Sequence, residues 1–201
     1  MQQLDVNVLG DGIGRLSGGP LSGEYQVLQL HFHWGKDDTR GSEHTYDGRE
    51  YPIELHVVHV RSDLANDVAT ALATTHGLAV TGFMFEVDVS IPTRHQLIHF
   101  FSSFLPSQVL NIFFKTVDNA ALKPLTDALK NIVNSDDKIP FVNSGFRLDS
   151  LLDGVAPISG ATTPYSTYSG SLTTPTCNEV VHWINFLTPL KISSAQLADF
   201  R

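Results

Sequence analysis

A chain of 201 residues with 42% apolar and 17% charged content has room for one domain with a sizeable core, and that balance excludes a disordered chain. The formal charge of −8 argues against nucleic acid or an anionic membrane as partner, since both select for excess Lys and Arg. Cys177 is the single cysteine, so neither a disulfide framework nor a cysteine-based zinc site is supported, and any metal must rest on histidine.

After Met1, "QQLDVNVLGDG" has neither the basic nor the apolar run of a signal peptide, and none is expected in this chain. The turn-rich "SGGPLSG" then leads into "YQVLQLHFHW", a strand. "KDDTRGSE" and "YDGREYP" are turn regions before a second strand, "IELHVVHV", and a third, "LAVTGFMFEVDV". The strongly apolar stretch 97–114 is broken by His99, Ser102, Ser103, Pro106, Gln108 and Asn111, too polar for a membrane span. Leu122, Leu125, Leu129 and Ile132 recur at helical spacing and predict a helix over 118–134, with Pro124 in its first turn. "EVVHWINFL" is a further strand, and no internal repeat or linker divides the chain. The expectation is a single domain over 1–201, mainly β with peripheral helices.

Five of the nine histidines fall within residues 28–60. Strand side chains alternate between faces, so Gln29, His31 and His33 share one face while Leu28, Leu30, Phe32 and Trp34 share the other. The same parity groups Glu54, His56 and Val58, with Leu55, Val57 and His59 opposite. If the two strands are neighbours, three imidazoles converge at one depth. Zn²⁺ held by three neutral imidazoles keeps its full charge and an open fourth position, where it lowers the pKa of water to roughly 7. Gln29 and Glu54 each stand two residues before a candidate ligand, on its face, where an acceptor for the distal ring N–H belongs. Spacing alone leaves two readings open: hydrogen-bonded structural histidines, or ligands of one metal.

"QLHFHWG", "SEH", "ELHVVH", "LAVTGFMFEV" and "YSGSLTTPTCNEVVHW", in that order, resemble the α-class carbonic anhydrases. The resemblance implies a twisted, mostly antiparallel central β-sheet and zinc-dependent reversible hydration of CO₂ to bicarbonate and a proton. It implies His31, His33 and His56 as zinc ligands, with Glu43 and Thr173 orienting the nucleophile. It further implies contact of Thr174 with bicarbonate, and an apolar wall of Val58, Val80, Leu172, Val181 and Trp183 for CO₂. Such a wall suits a substrate without a net dipole. His44, His59, His76, His95, His99 and His182 are read as structural or exposed.

Departures from the family pattern set further expectations. The family's amino-terminal segment with its proton-shuttle histidine, and its sheet residues beyond "LADFR" with a carbonyl supporting His33, are not in this sequence. Buffer-dependent turnover and exposed strand edges are expected. An atypical insertion spans 89–115; it begins Val-Ser, as an in-frame splice donor encodes, and ends Phe-Phe-Lys, as a pyrimidine tract before AAG encodes. A translated intron and a genuine loop helix are the two readings of it. Cys177 stands where secreted relatives carry half a disulfide, which implies an extracellular or secretory-pathway parent protein. Two other functions compete: a non-catalytic zinc-binding or interaction protein keeping the fold, and a cupin-type metal barrel, which requires Asp37 or Asp38 as ligand.

Overall fold

The computed structural model describes residues 2–7, 14–88, 116–132, 145–156 and 163–201. Its strands are β1 (Gln2–Asn7), β2 (Arg15–Leu16), β3 (Tyr25–Trp34), β4 (Ile53–Arg61), β5 (Leu78–Val87), β6 (Tyr165–Gly170) and β7 (Val181–Ile192). They form one sheet in the order β1-β3-β4-β5-β7-β6, with β2 also beside β3. All neighbours are antiparallel except β5 and β7, which run parallel. The fold class expected from the sequence, a mostly antiparallel sheet with peripheral helices, is the one observed. The helices are short: α1 (Val68–Ala71), α2 (Lys123–Leu129), α3 (Leu148–Leu151) and α4 (Ser194–Asp199), with a 3₁₀ turn at Ser62–Leu64. Among the described residues no helix is long and apolar enough to cross a membrane.

The pleat divides the apolar side chains between two clusters. Leu30, Phe32, Trp34, Leu55, Val57, Phe83 and Phe85 pack beneath α2, α3 and α4, through Leu125, Leu151 and Leu197. Phe32 and Phe85 are fully buried, each such side chain stabilising the fold by about 1.5–3 kcal/mol. The opposite face carries Val58, Val60, Val80, Val181 and Trp183. Leu28 departs from the expected parity. A bulge between Val27 and Gln29 shifts the β3–β4 register, so Val27 joins the first cluster and Leu28 packs against the second. An extra residue in one strand inverts every side chain beyond it.

The helix expected over 118–134 forms only over Lys123–Leu129. Pro124 does lie in its first turn, and Leu122, Leu125 and Leu129 are buried. The helix starts late because Asn119 is committed elsewhere. Its side-chain oxygen accepts from Ala121 N at 3.0 Å, while Gln196 takes its backbone N–H at 2.7 Å and its carbonyl at 2.8 Å. Such side-chain bonds give the backbone an alternative to the helix. At the other end Ile132 N donates to Leu129 O, a tightened last turn, and 133–134 lie outside the described residues.

Residues 89–115, expected from the sequence to be an insertion, also lie outside the described residues, but the residues flanking them meet one place. Asp88 N donates to Ile192 O at 2.9 Å, and Ser194 N donates to Thr116 Oγ1 at 3.2 Å. Ser193 Oγ donates to Asp118 Oδ1 at 2.6 Å and also caps α4 by accepting from Gln196 N at 3.0 Å. The flanking residues Asp88 and Thr116 are therefore both pinned to residues 192–194.

Candidate metal centre

The register of the central strands builds the site row by row. His31 on β3 pairs with His56 on β4, and His56 with Gly82 on β5. One row away, Gln29 pairs with Val58, Val58 with Val80, and Val80 with Trp183 on β7. On the other side His33 pairs with Glu54. Directly paired residues face the same way, so ligand-type side chains and the apolar wall share one surface. A Cβ on Gly82 would come within 2.3 Å of Asn185 Oδ1, so a larger residue at this position would displace the buried Asn185 side chain next to the cluster.

His31, His33 and His56 are all buried, and one ring nitrogen of each lies within 4.8 Å of the others. Their ring centroids stand 4.8–5.0 Å apart. His31 Nδ1 lies 3.0 Å from Gln29 Oε1, and His56 Nε2 lies 2.6 Å from Glu54 Oε1. Both partners are acceptors, so both nitrogens must carry the proton. That leaves lone pairs on His31 Nε2 and His56 Nδ1, which face each other at 3.2 Å. Burial, then the neighbouring His56 and His33, push the His31 pKa down to about 3, so His31 Nε2 carries no proton near neutral pH. Converging lone pairs without a proton between them are the donor set of a cation site, and neutral imidazoles suit zinc.

Glu54 anchors the cluster from behind. It is fully buried, and besides His56 it accepts from His44 Nδ1 at 2.6 Å, Glu43 N at 2.8 Å and His44 N at 2.9 Å. Burial alone raises its pKa, but the hydrogen bonds from His44 and His56 outweigh this and hold it well below the usual carboxylate range. His44 in turn has Nε2 2.6 Å from the Tyr168 hydroxyl on β6. Since His44 Nδ1 donates to Glu54, its Nε2 accepts, and Tyr168 is the donor. Burial, followed by the charges of Glu54 and Glu43, pushes the Tyr168 pKa up to about 12, which keeps that proton in place. Reading His44 as merely structural or exposed therefore misses a link in the support of His56. The sequence carries no signal for Tyr168, which lies 124 residues from His44 with no local pattern to connect them.

Glu43 is half-buried, and its Oε2 stands 3.3 Å from His33 Nε2 and 3.9 Å from His56 Nδ1. That oxygen makes no hydrogen bond, and among the described residues none joins Glu43 to Thr173. Thr173 and Thr174 are exposed in the loop before β7. The Thr174 carbonyl accepts from Cys177 N at 2.8 Å, and Leu172 N donates to Asn178 O at 3.0 Å. Trp183 ties this loop to the cluster. Its Nε1 donates to Ser171 O at 3.1 Å, and its ring centroid lies 4.8 Å from those of both His44 and His56. Val58, Val80, Val181 and Trp183 are buried together, with Leu172 half-buried against them. Asp37 and Asp38 join no group able to hold a metal among the described residues, and Asp38 is engaged by Arg201 and Ser194. Among the described residues the cupin arrangement is absent.

The eukaryotic-type carbonic anhydrase family model matches residues 3–105 and 106–201. The chain belongs to that family. It is 38% identical to carbonic anhydrase 7 of Mus musculus over 186 residues, which are 92% of this chain and 56% of that protein. It is 34% identical to carbonic anhydrase 1 of Oryctolagus cuniculus over 196 residues, 98% of this chain and 68% of that protein. The chain thus spans little more than half the length of the first of these carbonic anhydrases.

Proposed function

We propose that this chain catalyses the reversible hydration of CO₂ to bicarbonate and a proton, with zinc held by His31, His33 and His56. The observation that carries the reading is the convergence of the three buried imidazoles, with the lone pairs of His31 Nε2 and His56 Nδ1 only 3.2 Å apart. When bound in such a site, zinc lowers the pKa of water to about 7 and makes hydroxide available at neutral pH. Gln29 and Glu54 hold the ring protons of His31 and His56 on the distal nitrogens, which keeps the inner ones free to ligate. Glu43, whose buried Oε2 accepts no hydrogen bond, is available to receive the Thr173 hydroxyl proton and so to turn that hydroxyl oxygen into an acceptor that aims the nucleophile. Val58, Val80, Leu172, Val181 and Trp183 receive CO₂ in a dry pocket beside the nucleophile, so that proximity lowers the barrier. Thr174 contacts the bicarbonate product.

The test measures zinc stoichiometry and CO₂ hydration on the purified chain beside a His31→Ala variant. One zinc per chain with hydration, both lost in the variant, supports the reading. Zinc bound one to one without hydration supports instead a binding protein that keeps the fold. We further read 89–115 as an insertion into the family fold, and we assign the parent protein to the secretory pathway or the extracellular space. The convergence of both flanks on residues 192–194 supports the first. Cys177, exposed and free among the described residues, supports the second, and disulfide mapping of the parent protein checks it.

A further inference from the structure

We propose that His76 and His182 form a second metal site, on the sheet face opposite the histidine trio, for a divalent transition ion such as Zn²⁺, Ni²⁺ or Cu²⁺. His182 alternates along β7 with Val181 and Trp183, which line the trio's face, so it points to the other side. It pairs with Ala79 on β5 and Ser169 on β6. His76 reaches it from the turn before β5. The two ring centroids are 4.9 Å apart with planes at 61°. The His33–His56 pair of the main cluster has nearly the same relation, 4.8 Å and 62°. Two imidazoles thus stand on the back of the sheet as a ligand pair stands on its front.

The surroundings set the tautomer of His182 and hold the His76 ring in place. Thr167 Oγ1 donates its only proton to Trp183 O at 2.8 Å, and it also lies 2.9 Å from His182 Nε2. The hydroxyl proton being spent, His182 Nε2 must be the donor, which leaves the lone pair on Nδ1. Burial, then the nearby His76, lowers the His182 pKa, so the ring is neutral near pH 7, as a ligand must be. His76 Nε2 lies 2.8 Å from Ser169 Oγ, which orients the second ring. Its backbone sits at φ 55 and is held by the Tyr25 hydroxyl, which donates to His76 O at 2.8 Å. Both rings are half-buried, so water can complete the coordination, and imidazole suits Zn²⁺, Ni²⁺ and Cu²⁺. The bound ion would clamp the turn before β5 to the edge formed by β6 and β7.

Equilibrium dialysis of the full chain against zinc tests this. The expected result is a second equivalent beyond the first. His76→Ala and His182→Ala each remove the second equivalent and keep the first, whose retention shows that the variant is folded. His31→Ala removes the first and keeps the second. His95 and His99 are four residues apart in sequence, and a His95→Ala/His99→Ala variant keeps both equivalents. A second equivalent that survives His76→Ala/His182→Ala, or a wild-type chain whose single equivalent survives that double substitution, overturns the proposal. A single equivalent lost in that variant and kept in His31→Ala supports it and counts instead against zinc binding by the trio.

Discussion

Replacing Glu54 by Gln isolates the hydrogen-bonded support of the trio. The carboxylate accepts four bonds, two from the backbone N–H groups of Glu43 and His44 and two from ring nitrogens of His44 and His56. A Gln amide of nearly the same shape has one acceptor oxygen and one donor group. If its oxygen stays on the backbone pair, the NH₂ faces His56 Nε2 and favours the tautomer with the proton on Nδ1, the atom that faces His31. If the amide flips, two buried backbone donors lose their acceptor, at a cost of about 1–3 kcal/mol each. Either way the site resists the ligating tautomer of His56. Loss of such outer hydrogen bonds weakens metal binding by about 10–100-fold, or roughly 1.4–2.7 kcal/mol. Competition with a zinc-sensitive chelator at pH 7 measures it, with circular dichroism as the check on folding. A folded Glu54→Gln chain with zinc affinity within about twofold of the parent would refute the tautomer argument.

Two further outcomes are expected. His59 is buried, bonds to Ala79 O at 3.3 Å, and is pushed by burial down to about 4. The unfolded chain takes up this proton near pH 6.5 and the folded one does not, so its contribution is present above pH 6.5 and lost as pH falls towards 4. Urea unfolding should show about 2 kcal/mol less stability at pH 5 than at pH 7 from this residue. His59→Asn removes that difference, and an unchanged pH profile in the variant contradicts it. Deleting 89–115, so that Asp88 joins Thr116, should leave a chain that unfolds cooperatively and binds zinc like the parent, because both flanks already meet residues 192–194. Loss of the folded state would show instead that the segment is integral.

β3, β4 and β5 were legible as apolar, β-branched and aromatic runs bounded by turn residues, and the ranges read match the observed ones to within two residues. β1, β2 and β6 carry no such run and were not legible as strands. Parity also grouped His31, His33 and His56 on one surface, because no bulge interrupts β3 or β4 between them. The same rule failed for Leu28, since a bulge leaves no mark in the alternation of apolar residues. The helix over 118–134 was overread because a leucine repeat says nothing about Asn119, whose partners Gln196 and Lys191 lie more than 70 residues away. The parallel pairing of β5 with β7, the Tyr168–His44–Glu54 chain and the His76–His182 pair are all long-range contacts. They follow from topology, which local periodicity does not encode.

Zinc K-edge X-ray absorption on the chain loaded with one equivalent of zinc probes the coordination directly. Three imidazole nitrogens at about 2.0–2.1 Å with one further light-atom ligand are expected, and His31→Ala should lower the imidazole count. Fewer than three imidazoles in the parent chain, or a spectrum unchanged by His31→Ala, would mean that these rings do not grip the ion together.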